Sequence, residues 1–365
     1  MRIKKLSKLL LVGAIVGWTV GAGVASAAES FPVSVTAMKH VQKVPMTKQW
    51  DKVFPQNPNV AHQKVEFKNR YGITLVGDLY VPKDLKTGVK MPAIAISGPF
   101  GAVKEQSSGL YAQELASRGF VTIAFDPSNS GESVNVVKNV ASPELYTEDF
   151  SAAVDFLGLQ PFVNREAIGI LGICGLGGFA LNDAAMDTRV KAVVASTMYD
   201  MPRVITQNYN DSDGPEQRQK KLQALNEQRW RDAESGIAAS GPRLNPDLKG
   251  GEPQFVREYY DYYRTKRGYH PRSVNSSGAF TATTLLPFLN THIMEYIDRI
   301  SPRPVLIIVG EKAHSRYMSE TAFKALGNNP NKELVIVPNA VHTDLYDNME
   351  KIPFAKIADF FHKNL

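Results

Sequence analysis

The sequence predicts an α/β protein: a mostly parallel central sheet flanked by helices, with a cap insertion between the sixth and seventh strands. Three observations carry this. From about residue 63 short apolar runs alternate with segments of helical periodicity, the pattern of parallel strands joined by helices that cover both faces of a sheet. Two of the runs, "PAIAISG" (92–98) and "FVTIAFD" (120–126), are apolar without alternation, as strands buried on both sides are. The pattern stops near 200 and resumes near 303, and an interruption of that size between core strands reads as a cap or lid.

The elements follow in order. "KVEFKN" and "ITLVGDLYVP" (73–82) alternate like paired antiparallel strands, the second closed by Pro82. The runs at 92–98 and 120–126 are the third and fourth strands, with a helix between them carrying Leu110, Tyr111, Leu115 and Ala116. Ser142-Pro143-Glu144 is a helix start, with serine as N-cap and proline in the first turn. Tyr146, Phe150, Ala153, Val154 and Leu157 then follow at helical spacing. "AIGILGI" (167–173) is the fifth strand, a helix runs from the glycines to about Met186, and "VKAVVAS" (190–196) is the sixth strand. After the insertion come "RPVLIIVG" (303–310), a helix around 316–326, "ELVIVP" (333–338), and a last helix with Phe354, Ile357, Ala358 and Phe361 on one face. The domain plan is an export signal (1–27), an N-terminal arm (28–62), the first part of the core (63–199), the cap (200–300) and the second part of the core (301–365). Within the cap, "FVREYYDYYRTKRGYH" is read either as cap packing or as the lining of a substrate cleft.

The first residues combine Arg2, Lys4, Lys5 and Lys8 with a short apolar stretch broken by glycines and an Ala25-Ser26-Ala27 triplet. This is the layout of a cleaved secretory signal, so the expected location is periplasmic or secreted, without stable membrane insertion after cleavage. Removing those cations lowers Lys+Arg from 42 to 38 against 36 Asp+Glu, a net charge of +2 in place of +6. No basic cluster then favours a nucleic-acid partner, and the expected partner is a small-molecule substrate. The single cysteine, Cys174, has no intramolecular disulfide partner.

Cys174 stands in "LGICGLGGFA", between a strand and three glycines. One reading is a nucleophile elbow, the strained strand-to-helix turn of G-x-S-x-G, although Leu176 takes the place of its second glycine and Gly177 follows one residue later. A thiol at a helix N-terminus is favoured as thiolate. A second reading is a dinucleotide fingerprint, Gly175-Leu176-Gly177-Gly178-Phe179-Ala180, with Asp200 downstream. A third is a buried structural cysteine. Position favours the first: the expected chain order is nucleophile, acid, histidine, His342 lies in the loop after 333–338, and Glu311 stands directly after Gly310.

These motifs, "SGPFGAVKEQ", "DPSNSGES", "GICGLGG", "GEKAHSRYMSE" and "NAVHTDLYD" in that order, resemble the α/β-hydrolase superfamily, specifically its dienelactone-hydrolase-like members with a cysteine at the elbow. The resemblance covers roughly 64–200 and 300–365. It implies Cys174 as nucleophile, His342 as base, an acid, and an oxyanion hole. The superfamily's usual acid position holds Ala313, so Glu311 is the expected acid with Asp200 as the alternative. The usual oxyanion donor is replaced by Pro99, which has no N–H, so the donors shift to Phe100 or Gly101 and Gly175. Glu105 is a weaker candidate for contact with the thiol. Asp126, Ser130, Gly131 and Ser133 read as turn-forming residues. The implied activity is cleavage of an ester, lactone or thioester through an acyl-enzyme, with no cofactor and no metal. The alternatives are a non-catalytic ligand-binding protein on the same scaffold or a dinucleotide-dependent oxidoreductase.

Overall fold

The continuous apolar runs become the centre of one mixed sheet. The computed structural model describes residues 42–43, 50–133 and 136–365; the export segment expected at 1–27 and the arm up to residue 41 lie outside them. The strands are β1 (Gln42–Lys43), β2 (Val60–Lys68), β3 (Thr74–Pro82), β4 (Met91–Ser97), β5 (Val121–Phe125), β6 (Val163–Ile173), β7 (Ala192–Ser196), β8 (Val305–Gly310) and β9 (Lys332–Val337). Their order is β1-β2-β3-β5-β4-β6-β7-β8-β9, antiparallel from β1 through β3 to β5 and parallel from β5 to β9. Eight of these are the strands read from the sequence. The ninth, β1, has two residues, too few to show an alternation. Strand β2 also begins at Val60, so the end of the expected arm belongs to the sheet.

The helices are α1 (Ser107–Ala116), α2 (Pro143–Gly158), α3 (Gly175–Met186), α4 (Met201–Gln207), α5 (Pro215–Ser235), α6 (Gln254–Arg264), α7 (Val274–Ser277), α8 (Arg316–Ala325), α9 (Asp344–Asp347) and α10 (Phe354–Asn364). Successive residues of the central strands point to opposite faces: Ala93 and Ala95 join the α2 and α3 side, Ile94 and Ile96 the side of α1 and α10. The Ser142 hydroxyl accepts from the Leu145 N–H with Pro143 in the first turn, as the sequence implies. The cap occupies the connection between β7 and β8 and is helical, built on α4 to α7. Its charged stretch forms α5, which has no buried residue; its tyrosine-rich stretch forms α6.

The turn after β5 is held by its own side chains. Asp126 accepts from the N–H groups of Lys104 (2.7 Å) and Glu132 (2.9 Å), and Ser133 Oγ donates to Asp126 O while accepting from Val76 N–H. Gly131 has φ +55 there, and a Cβ on it would lie 2.4 Å from Asp126 Oδ2. The Lys104 ammonium, with none of its side chain exposed, pairs with Glu105 (2.7 Å), Asp126 (3.0 Å) and Glu132 (2.5 Å). Burial alone would lower its pKa, but these carboxylates hold it well above the ordinary value. Arg272 of the cap joins through Glu105 (2.7 Å) and also pairs with Asp51. Lys104→Met keeps the bulk and strands buried carboxylates, so it is expected to cost about 3–5 kcal/mol, read as a fall in denaturation midpoint.

Candidate active site

The chain leaves β4 toward β5 on one side and reaches β6 on the other, so the loops after β4 and β6 meet at the carboxyl edge of the sheet where strand order reverses. Such a switch point forms a crevice. Cys174 is the first residue past β6, with φ 53 and ψ −120, a conformation a non-glycine residue holds only under strain. The turn is closed by small neighbours: a Cβ on Gly172 would lie 2.2 Å from Leu176 O. Leu176 itself is buried in the core, which accounts for an apolar residue in the place where the elbow pattern has glycine.

The Cys174 thiol faces the N–H groups of Gly175 and Phe100 and the hydroxyls of Tyr346 and Tyr259. The ring of Phe100 is fixed against Phe280, Tyr146 and Phe288. Burial pushes the thiol pKa up to about 11, and those four neighbours of the sulfur only partly offset it. The thiolate expected from the helix N-terminus is therefore not the resting form. The helix dipole acts on a group that the cap has removed from water, and desolvation outweighs it.

His342 is fully buried. Its Nε2 lies 3.0 Å from the Tyr346 hydroxyl, and its Nδ1 sits between Ser315 Oγ (2.6 Å) and Thr197 Oγ1 (2.9 Å). Neither expected acid reaches it. Glu311 is exposed at the surface and accepts from the Asn339 N–H (2.8 Å); it leaves β8 on the outer side of the turn. Asp200 caps α4, accepting from the Arg203 N–H (3.1 Å). Glu105 belongs to the Lys104 and Arg272 cluster and does not touch the thiol. Asp344 is bound into its own turn by Val341 N–H and Lys351. The loops that were expected to carry an acid, after β7 and after β8, present the hydroxyls of Thr197 and Ser315. Thr197 stands at φ 43, an unusual conformation for a β-branched residue, and this turns its hydroxyl toward the imidazole. Burial and the nearby His314 hold the His342 pKa well below the ordinary value, so the ring is neutral.

The cap supplies the rest. Phe255, Tyr259 and Tyr263 recur at four-residue spacing and lie on one face of α6. In turn they meet His314 (ring centroids 4.5 Å), His342 (5.4 Å) and Tyr346 (6.1 Å). The tyrosines of this stretch divide: Tyr259 and Tyr263 line the cavity over the thiol, whereas Tyr262 packs against Tyr346 and under Arg267. That cavity measures about 180 Å³ and is walled by Phe100, Cys174, Tyr199, Met201, Leu244, Asn245 and the three tyrosines 259, 263 and 346. His314 follows β8 in the same loop as Glu311. In the fold its Nε2 lies 2.5 Å from the Tyr199 hydroxyl, and burial lowers its pKa to about 4.

The glycines of the dinucleotide pattern are occupied by protein. A Cβ on Gly178 would lie 2.3 Å from Tyr199 O, and one on Gly177 2.7 Å from Met198 Cβ, so these residues bring α3 against the end of β7. A cavity of about 180 Å³ is also below the roughly 300–1,000 Å³ of ordinary ligand sites. Among the described residues no group of three or more His, Cys, Asp or Glu side chains is placed to hold a metal ion, and no helix is long and apolar enough to cross a membrane.

The mostly parallel sheet with helices on both faces and a cap between β7 and β8 is the α/β-hydrolase fold. An α/β hydrolase from Penicillium sp. sh18, GrgF, superposes with a TM-score of 0.68 at 23% identity over 83% of this chain and 99% of its own. The chain belongs to the family of the Pseudomonas aeruginosa protein PA2218 and the Escherichia coli protein YcjY. PA2218 is 61% identical over 320 residues, 88% of this chain and 85% of PA2218, and its crystal structure matches with a TM-score of 0.85, covering 89% of this chain and all of that one. YcjY is 30% identical over 312 residues, 84% of this chain and 100% of YcjY. A part of the chain, 139 residues or 38% of it, is 33% identical to 42% of the thiohydrolase aneE of Aspergillus aculeatus. No protein-family model matches.

Proposed function

We propose that the protein is a cysteine hydrolase of activated acyl compounds, thioesters and esters with good leaving groups. One observation carries this: N–H groups from two separate loops, Phe100 after β4 and Gly175 at the start of α3, converge on the sulfur of a cysteine held in a strained turn. Donors so placed can stabilise the oxyanion formed when that sulfur attacks a carbonyl. The thiol proton passes to His342, the sulfur bonds to the carbonyl carbon, and the oxyanion forms against Phe100 and Gly175. The leaving group departs with the proton returned by His342, and water, deprotonated by the same histidine, releases the acid. Thr197 and Ser315 hold the imidazole in place of the usual carboxylate. The name of the thiohydrolase relative supports thioesters within this class. The likeness to dienelactone hydrolases and the export signal belong to the same proposal, the working form being the chain from Ala28.

The test is turnover of a panel of p-nitrophenyl esters and one thioester. Hydrolysis with an acyl preference limited to small groups supports the reading; no turnover of any member overturns it and leaves a ligand-binding role. Within the panel Glu311→Gln is expected to change kcat/KM by no more than about twofold. The double change Thr197→Val with Ser315→Ala is expected to lower it about 10- to 100-fold, the value of two lost hydrogen bonds to the base. Steady-state kinetics of these two variants side by side separates the hydroxyl pair from the carboxylate.

A further inference from the structure

We infer that Tyr346 is a catalytic residue that relays the Cys174 proton to His342. The inference rests on the hydrolase reading and assigns a step within it. In a direct dyad the imidazole faces the nucleophile, but here the group 3.0 Å from His342 Nε2 is the Tyr346 hydroxyl, and the same hydroxyl meets the Cys174 sulfur. Tyr346 lies four residues after His342, on the single turn α9 that follows the histidine. Its ring is fully buried and clamped edge-on by Tyr262 (4.9 Å) and Tyr263 (6.1 Å), and Cys174 and Tyr346 are walls of the same cavity. The hydroxyl therefore has a fixed place between acid and base.

The step balances. As the sulfur attacks, its S–H bond breaks and the proton bonds to the Tyr346 oxygen, while the tyrosine's own O–H proton passes to His342 Nε2. The tyrosine ends as neutral as it began, now donating to the sulfur. Burial and the neighbouring Cys174 hold the Tyr346 pKa well above the ordinary value, which suits a carrier that does not ionise. Tyr263, beside the hydroxyl, is shifted in the same direction by burial.

A second path leads from the thiol through Tyr259 and Tyr199 to His314: Tyr259 donates to Tyr199 (3.1 Å), and Tyr199 lies 2.5 Å from His314 Nε2. The observations favour Tyr346 and His342. His342 Nδ1 is held by two hydroxyls, whereas His314 Nδ1 finds no partner among the described residues and nothing fixes its tautomer.

The experiment is a double-mutant cycle on Tyr346→Phe and His342→Ala, read on the acylation burst with a p-nitrophenyl ester and, independently of any hydrolysis, on the rate of Cys174 alkylation by iodoacetamide. The relay predicts that Tyr346→Phe slows both about 100-fold or more, and that adding His342→Ala to it costs little further, since both remove one transfer. Additive losses, an unchanged rate, or a faster rate from Tyr346→Phe overturn the relay, as does a larger loss from Tyr259→Phe or His314→Ala. If the wild type turns over no ester while alkylation shows the non-additive pattern, the hydrolase reading fails and the proton path stands. Should Tyr346→Phe not fold, the wild-type burst in mixtures of H2O and D2O decides: a curved dependence, from two protons in flight, supports the relay, and a straight line overturns it.

Discussion

Cys174→Ala is expected to lower ester and thioester turnover by on the order of 10³-fold or more, with cooperative melting retained. The residual activity is that of the oxyanion donors, since Phe100 and Gly175 give their N–H groups from the main chain and the substitution leaves both in place. The thiol is small and its neighbours are tyrosine hydroxyls and peptide N–H groups, so alanine removes reactivity with little loss of packing. The same environment sets the behaviour of the wild type toward alkylating reagents. A thiol pushed up to about 11 by burial is almost wholly protonated at neutral pH, so iodoacetamide is expected to label Cys174 slowly at pH 7 and progressively faster up to about pH 11. Near-neutral labelling at the speed of an activated thiol, measured by intact-mass spectrometry over this range, would contradict the burial argument. A Cys174→Ala protein with undiminished turnover would remove the cysteine from the mechanism.

The parts of this site that the sequence revealed are those fixed by local rules. A strand buried on both faces leaves a continuous apolar run, so β4, β5, β6 and β8 were readable, and the strained turn at Cys174 left its glycines. His342 could be located because a loop after the last strand must end at the same edge as the elbow. The missing N–H of Pro99 likewise pointed to Phe100 or Gly101, and it is Phe100 whose N–H acts on the thiol. What could not be read depends on two distant segments meeting. Residue type points to the carboxylates of Glu311 and Asp200, but the groups that reach Nδ1 are a threonine directly after β7 and a serine ahead of α8, and hydroxyl residues are too common to mark a site. Thr197 is aimed by its positive φ, which "VVAST" does not disclose. The thiol's state is hidden from the sequence for a similar reason. The helix dipole is local and legible, whereas the desolvation that outweighs it comes from burial among distant segments, Tyr259 and Tyr263 of α6 among them. The spacing of Phe255, Tyr259 and Tyr263 was present in the sequence, but "YYDYY" offers several helix faces and only packing selects one.

His342→Ala is expected to reduce kcat/KM by about 10³-fold as well, and the pH dependence of the wild type should show what kind of base His342 is. Burial depresses its pKa well below the ordinary imidazole value, with His314 acting in the same direction. A depressed pKa means the neutral, proton-accepting ring persists to lower pH. The acid limb of kcat/KM therefore falls below 6.5, and the profile from pH 7 to 10 has no descending limb, because the thiol keeps its proton and any thiolate formed at the top of the range only adds to attack. A preformed thiolate–imidazolium pair behaves in the opposite way, losing activity on the alkaline side as the imidazolium gives up its proton. The missing carboxylate is what separates the two: two hydroxyls orient an imidazole but do not neutralise its positive charge, so the charged pair is populated only during transfer. Stability carries the same sign. The folded state favours the neutral ring and the unfolded chain takes up a proton near 6.5, so His342 contributes least when the pH falls below that value. A kcat/KM profile between pH 4.5 and 10, with an ester whose spontaneous hydrolysis is subtracted, separates these cases, and a descending alkaline limb that Thr197→Val with Ser315→Ala leaves in place would reject the neutral-base mechanism.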